Sequence, residues 1–229
     1  MISVSRRELK YMMSYGDSIR LQNELEVLLR LDKYSEKGYY RVRSLYFDSW
    51  NSKDFTQKYD GIEKRRKIRL RIYDPGQENA KFEIKEKIGA YQKKDSLLVS
   101  REDACRYAAG EYDTLLDYGE ETAARLYSLL MLGAYRPSSV IEYERRAYVY
   151  GEFNTRITFD RNVRASEFCF DLYGDDIPYV PVCTDYVILE VKYNGELLQS
   201  VRSILGKYYL TNVSMSKYGI GRPLMQHYV

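Results

Sequence analysis

Arg65-Arg66-Lys67-Ile68-Arg69-Leu70-Arg71-Ile72-Tyr73 is followed, after Pro75-Gly76, by Lys81-Phe82-Glu83-Ile84-Lys85-Glu86-Lys87, and both runs alternate strictly. In the first run Lys67, Arg69, Arg71 and Tyr73 share one face, and Ile68, Leu70 and Ile72 share the other. In the second, Lys81, Glu83, Lys85 and Lys87 oppose Phe82, Ile84 and Glu86. A period of two predicts β-strand, because successive side chains point to opposite faces. Pro75-Gly76 and its polar neighbours supply the turn between antiparallel partners. The pair thus has one apolar face and one densely cationic face. Residues two apart on a face lie roughly 6–7 Å from each other. Like charges that close repel unless an anion or carboxylates lie between them.

The same alternation recurs outward from this pair. Residues 5–13 alternate Arg6, Glu8 and Lys10 with Arg7, Leu9 and Tyr11. Strands are also predicted over 39–48, 91–98, 139–149, 156–160 and 186–193, the last with Glu190 and Lys192 on one face. Helical spacing appears over 17–31 (Ile19, Leu21, Leu25, Leu28, Leu29), with Ser14 or Asp17 as N-cap. A short helix is expected over 50–58 and another from Ser100 to about 109, where Ser100 and Asp103 resemble a capping box. Residues 112–132 read as a helical pair stopped by Pro137, and 196–207 as a further helix. The stretch 168–184, with Pro178 and Pro181, reads as a loop-rich excursion. No linker composition or internal repeat divides the chain, so residues 1–229 are expected to form a single domain.

Composition excludes several classes of function. The chain has 229 residues, of which 45% are hydrophobic and 30% charged, a globular balance. Lys and Arg number 36 against 33 Asp and Glu, a net charge of +3, which speaks against a general nucleic-acid binder. One His, at 227, leaves little room for a His-based dyad or zinc site. Three Cys (105, 169, 183) lack metal-knot spacing and suit a reducing compartment. No signal peptide and no membrane-spanning apolar run is seen, so a cytoplasmic protein without direct membrane insertion is expected.

At least six charged-faced strands with apolar backs must be covered by helices, and closing the sheet would remove its edges. An α+β fold with a closed antiparallel barrel, charged inside and with helices packed outside, is therefore predicted. Buried like charges cost several kcal/mol each, so such a lumen must hold water, metal and a polyanion. Arg dominates these faces, at Arg69, Arg71, Arg145 and Arg156, joined by Lys10, Lys85, Lys94 and Lys217, and Arg forks and Lys point charges are the usual binders of phosphate. Neither GxxxxGK[ST] nor GxGxxG is present, so side chains rather than backbone amides would hold it. Glu8, Glu83, Glu142, Glu144 and Glu190 lie on the same kind of strand. Carboxylates in a phosphate site suit Mg²⁺ or Mn²⁺, and Glu190 is the foremost ligand candidate.

Arg6-x-Glu8-x-Lys10-Tyr11, Val42-Arg43-Ser44-Leu45-Tyr46-Phe47-Asp48, Lys67-x-Arg69-x-Arg71-x-Tyr73, Glu83-x-Lys85, Tyr143-x-Arg145-x-Ala147-Tyr148, Arg156-Ile-Thr-Phe-Asp160, Leu189-Glu190-Val-Lys192-Tyr193 and Ser216-Lys217-Tyr218 occur in that order. Together they resemble the VTC domain, the polyphosphate polymerase branch of the triphosphate tunnel metalloenzymes in the CYTH-like superfamily. The resemblance implies an eight-stranded antiparallel tunnel barrel that holds a triphosphate or polyphosphate chain. It implies phosphate contacts for Lys10, Arg69, Arg71, Lys85, Arg145, Arg156 and Lys217, with Lys94 or Lys93 beside them. It implies a metal ligand at Glu190, with Glu8 as a second acidic position. The activity implied is transfer of the ATP γ-phosphoryl group to polyphosphate, dependent on Mn²⁺ or Mg²⁺. A triphosphate hydrolase, with Glu8 or Glu83 as base, and a non-catalytic polyphosphate or nucleotide sensor are the alternatives. The resemblance leaves room for a membrane-protein partner and does not fix the oligomeric state.

Overall fold

The computed structural model describes residues 6–89 and 91–222. It consists of two compact units: Met1–Arg41, Tyr143–Val163 and Pro181–Met215 form the first, and Val42–Glu142, Arg164–Val180 and Ser216–Val229 the second. The elements in chain order are β1 (Arg6–Ser14), α1 (Tyr15–Glu26), β2 (Arg30–Leu31), β3 (Tyr40–Ser49), α2 (Lys53–Tyr59), β4 (Lys64–Ile72), β5 (Asn79–Ile88) and β6 (Tyr91–Ser100). Then follow α3 (Arg101–Ala108), α4 (Glu121–Leu132), β7 (Tyr135–Tyr150), β8 (Thr155–Ser166), β9 (Val180–Cys183), β10 (Tyr186–Asn194), α5 (Gln199–Leu205) and α6 (Lys217–Gly221). The fold is α+β, with a large antiparallel sheet. His227, noted in the sequence, lies outside the described residues.

The strand order is β1-β10-β8-β7-β3-β4-β5-β6, with β2 on β7 and β9 on β8. This corrects the expected closed eight-stranded barrel. Among the described residues there are ten strands, and the sheet is not closed. Each end of the path has its own reason. In the first unit, the outer edge of β1 is taken by the chain near Asn212: Val213 N donates to Lys10 O at 2.8 Å, and Tyr11 bridges Asn212. In the second unit, the terminal strand β6 carries exposed Lys93 and Lys94, and charge on an unpaired edge discourages further pairing.

The first unit buries Leu21 and Leu25 of α1 and Val201 and Leu205 of α5 against Ile157 and Phe159 of β8 and Val187, Leu189 and Val191 of β10. The Ser14 hydroxyl accepts from Asp17 N at 3.1 Å and caps α1, as the sequence predicts. The second unit buries the apolar faces of β4 and β5 (Ile68, Leu70, Ile72, Phe82, Ile84) against Tyr107 of α3 and Leu126 and Leu130 of α4. Ser100 caps α3 through Asp103 N at 3.0 Å. The alternation read from residues 65–87 is therefore the burial pattern of these strands. Pro137 does not stop the helix: α4 ends at Leu132, Ala134 takes a positive φ of 46°, and Pro137 lies inside β7. The helix predicted over 17–31 ends at Glu26, and the one over 196–207 is confined to Gln199–Leu205.

Arg43 departs from the expected pattern. It shares the core side of β3 with Leu45 and Phe47, yet is 1% exposed. Its Nε donates to Glu142 Oε2 at 2.6 Å and its Nη1 to the carbonyls of Leu172 (3.0 Å) and Gly174 (2.6 Å). Arg164 and Tyr179 also bond Glu142. Glu142, considered above as a metal ligand, is thereby fully engaged in structure. Removing it would strand a buried guanidinium, which costs about 3–5 kcal/mol. Glu142→Ala is expected to lower the melting temperature by on the order of 10 °C. A shift below about 2 °C in thermal denaturation would contradict this role.

Candidate functional site

In the second unit the register of β4, β5 and β6 stacks cations in rows. Lys67 faces Lys85, and Lys85 faces Lys94. Like charges directly opposite destabilise a sheet, so three lysines in one row need an anion. The next row supplies one. Arg69 faces Glu83, and its Nε donates to Glu83 Oε2 at 2.7 Å, while Lys94 pairs with Glu83 Oε1. Burial pushes the Glu83 carboxyl up, but Arg69, Arg71 and Lys94 overcome this and hold it at about 2. Register also separates the two lysines that the sequence could not: Lys94 shares the face of Lys85, whereas Lys93 faces Glu86 on the other side.

Arg71 is 8% exposed, and its Nε donates to Ser44 Oγ of β3 at 3.1 Å. Tyr46, two residues along, accepts from Arg69 Nη1 at 3.2 Å. Burial raises the Tyr46 phenol, yet Arg69, Arg71 and Lys217 reverse this and leave it more acidic than an ordinary tyrosine. A buried phenol made more acidic reports a local potential that favours an anion. Lys217 opens α6, whose position is fixed by close packing: a Cβ on Gly221 would overlap Ile141 Cδ1. Ser216 caps α6 by accepting from Gly219 N at 3.2 Å, and also accepts from Lys67 Nζ at 2.6 Å. The Tyr218 ring stacks on Tyr46 at 5.0 Å.

The first unit carries a second charged cluster. On β1 and β10, Lys10 faces Glu190 and Glu8 faces Lys192. Lys10 pairs with Glu8 at 2.9 Å, and Lys192 pairs with Glu190. Burial pulls the Lys192 ammonium down to about 8 against the opposing pull of Glu190 and Glu8. Arg145 forks onto Asp160 through Nε and Nη2 at 2.6 and 2.7 Å. Although burial opposes it, Asp160 leads the groups that hold the Arg145 guanidinium well above its ordinary value. Arg156 donates from Nη2 to Asp32 Oδ2 at 2.6 Å and to the Tyr40 hydroxyl at 3.3 Å. On β8, Thr158 faces Glu190, and its buried hydroxyl has no hydrogen-bond partner.

The carboxylates here are hard oxygen donors, the ligand type that Mg²⁺ and Mn²⁺ take. Glu190 and Glu8 are diagonal neighbours on adjacent strands, and Thr158 faces Glu190 from β8. Among the described residues no three His, Cys, Asp or Glu come together, so the protein does not form a complete cage. Mg²⁺ commonly takes one or two carboxylates and draws its other ligands from substrate phosphates and water.

The VTC domain profile matches residues 5–226. The chain belongs to the VTC domain family. No curated protein matches it in sequence. Among solved structures it is similar to a proposed adenylate cyclase from Bacillus halodurans, at 14% identity and TM-score 0.55, covering 93% of this chain and 95% of that one. It is also similar to a proposed adenylate cyclase from Vibrio parahaemolyticus, at 13% identity and TM-score 0.50, covering 94% and 96%. At such identities the likeness concerns the fold alone. No helix among the described residues is long and apolar enough to cross a membrane.

The VTC fold of this chain distributes the sequence-derived residues over two clusters. Arg69, Arg71, Lys85, Lys94 and Lys217 fall in the second unit; Lys10, Glu8, Glu190, Arg145 and Arg156 fall in the first. Sequence reading assigned no role to Lys192, Asp160, Asp32, Tyr46 or Ser44. Lys192 was visible two residues from Glu190. Asp32 had no signal, because its carboxylate reaches Arg156 from a loop. The cations around Glu83 hold its carboxyl at about 2, which makes it a weaker proton acceptor than an ordinary carboxylate.

Since its folded value lies below the ordinary 4.5, Glu83 adds stability above pH 4.5 that is lost as pH falls toward 2. Glu83→Gln should therefore flatten the acid side of the stability profile in that window. Denaturation curves of parallel slope for both proteins would refute the pairing.

Proposed function

We propose that this VTC domain is a metal-dependent phosphotransferase that takes a nucleoside triphosphate on its cationic strands and passes the γ-phosphoryl group to a polyphosphate chain. The observation that carries this is the Lys67–Lys85–Lys94 row beside Arg69 and Arg71, five cations gathered on one face of β4, β5 and β6 around the buried carboxylate of Glu83. Phosphoryl transfer depends on positioning and charge stabilisation more than on covalent participation by protein groups. A terminal polyphosphate oxygen bonds to the γ-phosphorus as the bond from that phosphorus to the β,γ-bridging oxygen breaks, and the nucleoside diphosphate leaves with that oxygen. Arg69, Arg71 and Lys85 bear on the charge of the transferring group, with Lys94 and Lys217 holding neighbouring phosphates. Arg145, Arg156 and Lys10 serve the same purpose in the first unit, where Asp160, Asp32 and Glu8 keep them oriented until phosphate arrives.

Glu190 and Glu8, with the Thr158 hydroxyl, would hold Mn²⁺ or Mg²⁺. A divalent ion supplies Lewis-acid neutralisation of phosphate charge. For the carboxylates to take it, Lys192 and Lys10 must leave them, and both lysines then become phosphate ligands.

Hydrolysis of a triphosphate is the second reading. It needs a base to activate water, and the acidity of Glu83 weighs against the residue nearest the arginines. Incubation with ATP and Mn²⁺ separates the readings: polymer supports synthesis, phosphate release alone supports hydrolysis, and binding without turnover supports a sensor. Arg71→Ala should lower kcat/KM by about 10²–10³, the effect of losing one preorganised charge-stabilising donor, with little change in melting temperature. Turnover near that of the native protein would contradict the assignment. Glu190→Gln should weaken the Mn²⁺ dependence of the rate; an unchanged metal titration would remove Glu190 from the metal site.

A further inference from the structure

The second unit contains a cavity of about 760 Å³ lined by residues that include Asp48, Trp50, Phe55, Arg136, Glu167 and Arg222. That is the size of a small-molecule site. It adjoins the cationic face through side-chain contacts. Tyr46, which accepts from Arg69, stacks on Tyr218; the Tyr218 hydroxyl donates to Asp48 Oδ2 at 2.5 Å; and Arg222 Nη1 donates to that hydroxyl at 2.7 Å. Asp48 lies two residues beyond Tyr46 on the same side of β3, roughly 7 Å along the strand.

The lining combines unusual elements. Trp50, the sole tryptophan in the chain, is 76% exposed. An exposed indole is a stacking platform for a flat ring. The Glu167 side chain is 7% exposed, and its Oε2 has no hydrogen-bond partner. Arg222 approaches its other oxygen only to 3.7 Å. A buried acceptor without a donor is costly, and the carboxylate torsion is soft enough for Oε2 to turn toward one. Arg136 is exposed and forms no ion pair among the described residues. Asp48 and Glu167 balance Arg136 and Arg222, so the cavity suits a neutral planar group that offers both donors and acceptors.

We propose that this cavity receives the base of the nucleoside triphosphate whose phosphates lie on Arg69, Arg71, Lys85 and Lys94, and that it selects guanine. The proposal rests on the function argued above and adds its nucleotide preference. Guanine presents two adjacent N–H donors, N1 and N2, which match one carboxylate, Glu167. It also presents O6 and N7, the acceptor pair that an arginine fork such as Arg136 binds. Adenine presents one amino group beside an acceptor nitrogen, which a carboxylate repels. Trp50 stacks on either purine, so Glu167 and Arg136 carry the discrimination. ATP is then the poorer substrate.

The test uses the full chain with Mg²⁺. Inorganic tripolyphosphate is titrated by calorimetry, then GTP and ATP by calorimetry and by Trp50 fluorescence corrected for absorption. Both nucleotides are expected to quench Trp50 and to bind tighter than tripolyphosphate, with GTP roughly tenfold tighter than ATP, the effect of a charge-assisted hydrogen bond. Glu167→Gln should remove most of the GTP advantage and leave tripolyphosphate binding unchanged. Trp50→Ala, at an exposed position, should weaken both nucleotides but not tripolyphosphate. Tripolyphosphate binding with no gain for GTP and no change in Trp50 emission would overturn the base pocket while sparing the phosphate face. Equal gains for GTP and ATP would overturn the guanine selection. A failure of tripolyphosphate itself to bind would remove the phosphate face, and this proposal with it.

Discussion

Cations on adjacent positions of a strand face repel, and the second unit is arranged around that constraint. Its apolar strand faces bury Ile68, Leu70, Phe82 and Ile84, and burial of this kind, at about 25 cal/mol per Å², holds β4 and β5 in register. The same register places Lys67, Lys85 and Lys94 in one row whether or not the charges favour it. Glu83 relieves part of the repulsion by meeting Arg69 and Lys94, and its depressed proton affinity measures how positive the surroundings are. The acidified phenol of Tyr46 reports the same field. Hydrophobic packing on one face thus holds a dense set of cations together on the other.

The first unit solves the same problem differently. Each of its site cations has a dedicated carboxylate: Asp160 for Arg145, Asp32 for Arg156, Glu8 for Lys10 and Glu190 for Lys192. Such pairs hold geometry at modest net stability, because desolvation offsets most of the attraction. On the function proposed above, phosphate binding would be an exchange, in which phosphate takes the cation and the carboxylate is released, and Glu190 and Glu8 would be free to take a metal once Lys192 and Lys10 turn to phosphate.

Much of this was legible from alternation. Residues 65–87 yielded two correct strands, the correct buried faces and the cationic side, because a period of two has one structural meaning over nine residues. Ser14 and Ser100 announced their helices through local capping chemistry. Closure of the sheet was not legible, since edge pairing depends on contacts as distant in sequence as Lys10 with Val213. The burial of Arg43 was not legible for a related reason: it depends on Glu142 and on carbonyls at Leu172 and Gly174, a network that local periodicity does not encode. The choice between Lys93 and Lys94 needed only the register of β6 on β5. Asp32 and Asp160 were invisible as partners because an ion pair between distant elements has no local signature.

On the function proposed above, the charged faces of these strands receive linear phosphate with a metal at Glu190. A crystal structure of the chain with tripolyphosphate and Mn²⁺ would test this. Phosphate density is expected on Arg69, Arg71, Lys85 and Lys94, with an anomalous manganese peak at Glu190 and Lys192 turned away from that carboxylate. Tripolyphosphate bound elsewhere, with the Glu83–Lys94 and Glu190–Lys192 pairs intact and no manganese at Glu190, would contradict it.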